Sequence, residues 1–340
     1  MPRKRFRCVA VVLTFAALLC ATLLYFRSRP KPWENTGSYT GPLTREVKPF
    51  DPTKTPSRPW LDPEGRDHPP TTYHTYAATS LNGRRTDYLL YLPPGYHDET
   101  NSDRRYPVVY WLHGYGATPS YGVPGFVEVL DQAVRAGACP PVIAVLPNGL
   151  VDSWYVDAAD GSQPVESLIV RDLIPHVDAT YRTVADRRGR AVEGFSMGAW
   201  GAAHLLFKYP ETFAAATLVG GPIHTPPSFT RWHKPQFDKH FAGDVNAFYA
   251  EDPVTRARRL DPAVARVLRV RHLVGTWDGN LGWTRGFHQR LTSWNIPSQL
   301  TEAPDDGHSD ADVYHTLGPT AFTFYRDLFD PQPAGPLQRP

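Results

Sequence analysis

The serine best placed to do chemistry is Ser196, in the segment 194–198, Gly-Phe-Ser-Met-Gly. A short strand-like run, 190–192, precedes this segment, and a helical run rich in alanine and leucine, 202–207, follows it. A Gly-x-Ser-x-Gly turn between a strand and a helix is typical of a nucleophile elbow, which lifts a serine hydroxyl above the end of a sheet. Glycines are needed on both sides because larger side chains would collide with the neighbouring strand and helix. The alternative is a Gly-Ser turn that merely enters a helix, so the interpretation depends on partners for the serine.

The first partner is a base, because a serine hydroxyl is a poor nucleophile until its proton is removed. In enzymes with such an elbow the chain order is serine, acid, histidine. His308 lies in a loop between the last predicted strand and the last predicted helix, whereas the other histidines after Ser196 lie in predicted helices, a strand or an insertion. Ligands and chemistry gather in loops at the carboxyl ends of parallel strands. We therefore predict that His308 is the base.

The second partner is an acid that orients the imidazole. Asp278 comes directly after the predicted strand 270–274, so its carboxylate is expected at the same edge of the sheet as the histidine loop. Asp305 and Asp306 are rivals, but they are so close to the histidine in sequence that a suitable orientation is less natural. Asp252, in Glu-Asp-Pro, is better explained as a turn or helix-start residue. Asp278 is the predicted acid.

An oxyanion formed at the serine would need two backbone N–H donors. One is predicted at Met197, directly after the serine and at the start of the following helix. The other is expected in the loop 113–116, His-Gly-Tyr-Gly, which follows the first central strand. We assign it to Tyr115, with Gly114 and Gly116 as alternatives.

These residues would be positioned by alternating strands and helices, which predict an α/β fold with a mostly parallel sheet covered by helices on both faces. An Asn82-Gly83 turn joins the first two strands, and the run at 107–112 is apolar throughout, as in a central strand. Strands are predicted at 73–80, 86–92, 107–112, 142–146, 190–192, 214–219, 270–274 and 299–302, and helices at 126–136, 165–180, 202–207, 283–294 and 312–328.

The segment 222–261 interrupts this alternation and is rich in aromatic residues mixed with Lys, His and Asp. Two interpretations stay open: a small helical excursion on the rim of the domain, or a cap over the site. Together with this insertion, Trp154 and Tyr155 are predicted to line the substrate pocket. Ordinary core packing is the alternative for either aromatic residue.

The amino-terminal segment 1–27 carries a basic cluster followed by a charge-free apolar run from Cys8 to Phe26, long enough to cross a bilayer. It predicts a cytoplasmic tip and a single helix that anchors the protein in the cell membrane. The remaining chain would then lie outside the cytoplasm. The alternative is a cleaved signal peptide and a secreted protein. The proline-rich segment 28–70 is predicted to be an extended arm, and the folded domain to span 71–330, followed by a disordered tail at 331–340.

Composition excludes other classes of function. The 340 residues include enough apolar ones, 41%, to fill a core, and the net charge of +2 gives no sign of a nucleic-acid partner. Cys139 is the single cysteine after the apolar run, so the domain has no internal disulfide. A metal site at His308, Asp310 and Asp312 is conceivable, but a catalytic loop and a helix start explain these residues more simply. We therefore predict no metal and no cofactor.

The chain resembles the "Putative esterase" family of α/β-hydrolases, which includes feruloyl and acetylxylan esterases, S-formylglutathione hydrolase and the antigen 85 mycolyltransferases. The resemblance covers roughly 71–329. Many members have a tryptophan two residues after the histidine, where this chain has Asp310, and neither the anchor nor the proline-rich arm is general in the family. The motifs that carry the resemblance are Tyr110 to Gly114, Pro147 to Gly149 with Trp154-Tyr155, Leu173 to Asp178 before Tyr181-Arg182, Gly194 to Gly198, Glu251 to Pro253, Gly275 to Asp278 and Gly307-His308.

The resemblance implies an α/β-hydrolase fold and cofactor-free ester chemistry, with Ser196, Asp278 and His308 as the triad. The expected function is that of a serine esterase that hydrolyses a carboxylic ester through an acyl-enzyme, with a small molecule or a glycan ester as substrate. One alternative is an acyltransferase, similar to the mycolyltransferases, that acts on a cell-envelope glycan. The other is a non-catalytic surface protein on the same fold.

Overall fold

The computed structural model describes residues 39–54, 56 and 58–329. The predicted cytoplasmic tip and anchor at 1–27, the first part of the arm and the tail at 331–340 lie outside the described residues. Within the described ranges, no helix is long and apolar enough to cross a membrane. The anchor, the alternative of a cleaved signal and the location outside the cytoplasm therefore stay predictions.

One sheet of eight strands forms the centre of the described part of the chain. The strands are β1 Thr72–Ala77, β2 Arg85–Tyr91, β3 Val108–Leu112, β4 Ile143–Pro147, β5 Arg190–Phe195, β6 Ala215–Val219, β7 Arg269–Gly275 and β8 Ser298–Ala303. Their order in the sheet is β1-β2-β4-β3-β5-β6-β7-β8. The first two strands pair antiparallel with each other, β2 is antiparallel to β4, and all other neighbours are parallel. The predicted mostly parallel sheet is confirmed.

The central strand β3 shows that both faces of the sheet are covered. Its residues are all buried, and successive side chains point to opposite faces of a strand. Val108, Tyr110 and Leu112 belong to one apolar cluster. Val109 and Trp111 belong to a second cluster on the other face. This double burial explains why β3 is apolar at every position.

Most described helices lie close to their predicted positions. The final one differs, because the predicted single helix at 312–328 is wrong: the chain turns at Gly318, with φ 57°, and a 3-10 segment continues to Phe322. Glycine adopts this left-handed conformation readily, and Pro319 after it lacks an N–H donor. The α-helices are α1 Glu128–Arg135, α2 Val165–Ser167, α3 Ile174–Thr180, α4 Met197–Lys208, α5 Pro226–Phe241, α6 Val245–Glu251, α7 Pro253–Arg258, α8 Pro262–Val267, α9 Leu281–Ser293, α10 Asp310–Leu317 and α11 Thr323–Phe329.

The insertion between β6 and β7 consists of the four helices α5 to α8. α5 bends at His233, where φ is −138° and ψ is 42°, two residues before Pro235. Three phenylalanines of α5 and one of α6 pack into the apolar cluster that also holds the elbow helix α4. The insertion therefore packs on the domain as a layer of helices, and it also supplies part of the wall of a cavity at Ser196.

The described part of the arm forms no helix or strand, yet it packs on the domain. The Asp51 amide donates to the carbonyl oxygen of Gly161 at 2.9 Å. A Cβ at Gly161 would lie 2.4 Å from the Pro49 carbonyl oxygen, so the two backbones are in close contact there. Trp60 is 7% exposed and belongs to the main apolar cluster. The folded body thus extends further toward the amino end than the predicted start at 71.

Candidate active site

Ser196 occupies a strained turn between β5 and α4, with φ 56° and ψ −114°. Few residues other than glycine adopt positive φ, and such strain clusters at functional sites. A Cβ at Gly198 would lie 2.0 Å from the Leu112 carbonyl oxygen, and one at Gly194 would lie 2.3 Å from the Gly198 carbonyl oxygen. Both glycines are therefore required for the helix to pass this close to the sheet and lift the serine above its edge.

The imidazole of His308 joins Ser196 and Asp278. Its Nε2 lies 2.9 Å from Ser196 Oγ, and its Nδ1 lies 2.8 Å from Asp278 Oδ2. With Nδ1 donating to the carboxylate, Nε2 accepts from the serine hydroxyl. The other oxygen of the Asp278 carboxylate, Oδ1, accepts from the backbone N–H of Asn280 at 2.7 Å. The Asp278 side chain is 2% exposed and the His308 side chain 39%, so a buried carboxylate orients an imidazole that is partly open to solvent.

None of the rival carboxylates is hydrogen-bonded to His308 in the described part of the chain, and two of them have other partners. Asp306 Oδ1 accepts from the Thr316 hydroxyl at 3.1 Å. Asp305 lies in the same loop, and its amide donates to a threonine hydroxyl of the β7 loop. Asp252 Oδ2 accepts from the Thr255 amide at 2.9 Å, which makes it the N-cap of α7. The interpretation of Asp252 as a helix-start residue is confirmed.

Gly220, after β6, is a site residue that the sequence analysis missed. It adopts φ 56°, and a Cβ there would lie 2.8 Å from Asp278 Oδ2 and 3.1 Å from His308 Nδ1. Its carbonyl oxygen accepts from the Asn280 side chain at 3.0 Å. The Gly-Gly pair at the end of a parallel strand was the available signal, because glycine at a strand end allows another group to approach the backbone closely.

The loop after β3 lies close to Ser196. A Cβ at Gly114 would lie 3.5 Å from the Ser196 Cβ. The Gly116 amide already donates to the Val151 carbonyl oxygen at 2.8 Å, which leaves Tyr115 and Gly114 as the candidate oxyanion donors in this loop. The Met197 amide is the first of α4 and has no acceptor within the helix.

Two hydrogen bonds of the buried His113 ring hold this loop in place. Its Nδ1 donates to the Gly114 carbonyl oxygen at 3.0 Å, and its Nε2 accepts from the Gly149 amide at 3.2 Å. Burial lowers the pKa of His113 to about 4, so the ring is neutral near pH 7. A neutral ring with one donor and one acceptor matches both partners.

The two predicted pocket aromatics have different positions. Trp154 lines the larger cavity at the serine. Tyr155 does not, which corrects that prediction: it is fully buried, and its hydroxyl donates to the His113 carbonyl oxygen at 2.9 Å. Both residues have positive φ, 52° and 58°, so the chain turns sharply and consecutive side chains point to different places. Tyr155 supports the loop after β3 from inside the core.

Two cavities open at Ser196. The larger, about 450 Å³, includes Trp154, His224, Trp232, His233, Asn280 and Trp283 in its wall. The smaller, about 370 Å³, includes Ala117, Tyr121, Phe195 and His308. Tyr115 borders both cavities. Burial lowers the pKa of His224 to about 3 and also lowers that of His233, so neutral rings face the larger cavity near pH 7.

A buried cluster of Glu166, His204 and Glu251 has ligand types suited to a metal ion. Lys208 Nζ, however, lies 2.8 Å from both carboxylates. His204 Nε2 lies 2.7 Å from Glu166 Oε2. The lysine ammonium already takes the place that a cation would occupy, so this cluster is better explained as an ion-pair network that joins α2, α4 and α6.

Asp310 is a buried carboxyl at the start of α10. Neither of its side-chain oxygens is hydrogen-bonded to another side chain among the described residues. Burial raises the pKa of Asp310 to about 7. The folded state therefore holds a proton that the unfolded state loses at lower pH, and the stability of the fold decreases as pH rises from about 4 to about 7.

We expect Asp310→Asn to stabilise the fold in a pH-dependent manner. The variant and the natural chain should differ little near pH 4, and the gain should grow through pH 7 to ~2–4 kcal/mol, because asparagine does not ionise. Urea unfolding at a series of pH values measures the difference in the free energy of unfolding between the variant and the natural chain. The same exchange at the exposed Asp312 controls for the lost charge. A difference that does not change with pH would contradict the prediction.

Fold and site together define the class of protein. The model of the "Putative esterase" family matches residues 78–313, and this chain belongs to that family. The chain is 34% identical to Esterase Rv1288 of Mycobacterium tuberculosis over 159 residues, which are 46% of this chain and 33% of that protein.

Solved structures that resemble this chain have the same fold. A ferulic acid esterase has a TM-score of 0.63 and 23% identity over 76% of this chain and 98% of its own. The S-formylglutathione hydrolase from Agrobacterium tumefaciens has a TM-score of 0.62 and 18% identity over 76% of this chain and 95% of its own. At these identities the likeness shows the α/β-hydrolase fold.

Proposed function

We propose that this chain is a serine esterase that hydrolyses a carboxylic ester by way of an acyl-enzyme. The observation that carries the proposal is the hydrogen-bonded series from Ser196 Oγ through His308 to Asp278, built on a strained elbow at the edge of the sheet. Membership of an esterase family supports the same reaction. The intact series also argues against a non-catalytic protein on this fold.

In the acylation step, His308 Nε2 takes the proton of Ser196 Oγ as the oxygen attacks the ester carbonyl carbon. Asp278 stabilises the imidazolium that forms. The Met197 and Tyr115 amides donate to the carbonyl oxygen as it becomes negatively charged. The tetrahedral intermediate collapses when the bond to the alcohol oxygen breaks and Nε2 returns the proton to that oxygen.

In the second step, the same imidazole takes a proton from an incoming water, whose oxygen attacks the acyl carbon. Collapse of the second intermediate breaks the bond to Ser196 Oγ, returns the proton to the serine and releases the acid. An acyltransferase would use an acceptor hydroxyl in place of water at this step. Both reactions share the site and differ in the identity of the second nucleophile.

The protonation of the leaving group also indicates which cavity holds the alcohol part of the ester and which holds the acyl part. Because the leaving oxygen must receive its proton from His308 Nε2, the alcohol part of the ester lies on the side of the smaller cavity, which contains His308. The acyl part then extends into the larger cavity, between Trp154 and the side chains of α5. The larger cavity is called the acyl cavity below.

A fluorophosphonate probe tests the proposal directly, because it phosphonylates a serine that an adjacent base activates. We expect stoichiometric labelling of the full chain, with the adduct on the peptide that contains Ser196, together with turnover of p-nitrophenyl acetate. Ser293→Ala, at an exposed position on α9, is a matched control that should label equally. Labelling at another residue, or turnover without any labelling, would contradict a serine esterase.

A further inference from the structure

Arg45, in the arm, inserts its side chain into the domain, where 4% of it is exposed. Its Nε donates to Glu251 Oε1 at 2.9 Å, and its two terminal nitrogens donate to the carbonyl oxygens of His240, at 2.8 Å, and Asp157. The guanidinium also lies 5.8 Å from the ring centroid of Phe241. The planar fork of arginine suits such a set of acceptors, and lysine could not reproduce it.

The acceptors belong to three different segments. His240 is in the last turn of α5, where carbonyl oxygens lack donors within the helix and carry the negative end of the helix dipole. Glu251 is the last residue of α6. Asp157 lies in the loop after β4. One buried side chain of the arm thus connects the insertion to the loop after β4.

Further contacts hold the arm on the insertion. Tyr39 stacks on Tyr249, with ring centroids 5.1 Å apart. Arg256 donates to the Leu43 carbonyl oxygen at 3.0 Å. These contacts keep the backbone beside the insertion helices and limit the freedom that Arg45 would lose on insertion. The interaction is therefore a built part of the fold.

The other end of the connection is the acyl cavity. In α5, Trp232 and His233 line this cavity, and Gln236 Nε2 donates to the Tyr115 hydroxyl at 3.0 Å. The helix is kinked at His233, and Pro235 lacks an N–H donor, so its own hydrogen bonds do not fix the angle between its two parts. Contacts outside the helix must fix that angle.

We infer that Arg45 is a positioning residue for the acyl cavity: it holds the carboxyl end of α5 and so sets the wall formed by Trp232 and His233. The inference rests on the proposed esterase function and adds the arm to the specificity apparatus. Removing Arg45 breaks one buried ion pair but leaves Glu251 paired with Lys208 at 2.8 Å and with Arg256 at 3.1 Å, so the buried carboxylate keeps two cationic partners.

The experiment compares two substrates with one leaving group, p-nitrophenyl acetate and p-nitrophenyl hexanoate, on the full chain. Active sites are counted with the fluorophosphonate probe. In Arg45→Met, we expect the ratio of kcat/KM for hexanoate over acetate to fall about three- to tenfold, which lies within the range of couplings carried through packed elements. The acetyl group is too small to need the α5 wall, so its kcat/KM per active site should change little.

Further variants separate positioning from a general loss of stability. Arg45→Lys keeps the charge without the fork and should give an intermediate ratio. Gln236→Leu, with the arm intact, should lower the ratio as well, since it removes the hydrogen bond that joins the same part of α5 to Tyr115. Arg66→Met, at an arm position where 65% of the side chain is exposed, is the matched control and should leave the ratio unchanged.

Parallel losses on both esters, or an unchanged ratio in Arg45→Met, would overturn the inference while the esterase proposal stands. If Arg45→Met does not fold, an unchanged ratio in both Arg45→Lys and Gln236→Leu overturns it equally. A natural chain that neither labels nor turns over either ester would instead contradict the proposed function. The two failures are therefore distinguishable.

Discussion

Asp278→Asn is expected to lower kcat for p-nitrophenyl acetate by about 10³- to 10⁴-fold while the fold is retained. The amide can donate to Nδ1 of His308, which favours the tautomer that places the proton on Nε2. In that tautomer, Nε2 can no longer accept the proton of Ser196. The loss also removes the carboxylate that stabilises the imidazolium. Initial rates at saturating ester, corrected for protein concentration, measure the effect.

The same exchange at the rival carboxylates provides the controls. Asp305→Asn and Asp306→Asn carry the same change of charge in the histidine loop, but neither carboxylate contacts the imidazole, so kcat should stay within a fewfold of that of the natural chain. Thermal unfolding of all three variants should show a retained fold. A large loss in Asp306→Asn with a small one in Asp278→Asn would assign the acid differently.

Gly198→Ala should both destabilise the fold and remove activity. The added methyl group would lie 2.0 Å from the Leu112 carbonyl oxygen and 2.9 Å from that of His113, both backbone atoms that cannot rotate away. The elbow helix α4 must then separate from β3, at a cost on the order of 3 kcal/mol or more. Denaturant unfolding measures the stability, and the fluorophosphonate probe reports the remaining active sites.

Gly279→Ala tests whether the effect comes from this close approach or from any added methyl group near the site. A Cβ at Gly279 would meet no heavy atom within 4 Å. We therefore expect its free energy of unfolding to change by less than about 1 kcal/mol. Equal destabilisation by the two exchanges would show that the packing of α4 against β3 is not the cause.

The parts that the sequence predicted well depend on local patterns. The apolar run of β3 and the glycines around Ser196 each encode their own environment, because a central strand and a tight elbow restrict nearby residue types. Asp278 and His308 could be selected because the ends of parallel strands meet at one edge of the sheet. The structure brings these side chains within hydrogen-bonding distance.

The parts that were missed depend on contacts between distant segments. Nothing near Arg45 in sequence indicates that its guanidinium lies against Glu251, 206 residues later. Tyr155 and Trp154 are adjacent and aromatic, and only their backbone conformation decides which of them faces the cavity. Gly220 lies far from Asp278 in sequence, and the collision that a side chain would cause there exists only in the folded state.

The two cavities at Ser196 share Tyr115 but take most of their walls from different stretches of chain. The acyl cavity takes much of its wall from the β6–β7 insertion, whereas the smaller cavity, which the proposed reaction assigns to the alcohol, is formed by the loop after β3, the end of β5 and the histidine loop. Apart from Gln236, which binds the Tyr115 hydroxyl, the insertion can therefore change in sequence without altering the residues of the smaller cavity. Selectivity for acid and for alcohol can then evolve, or be engineered, as separate traits.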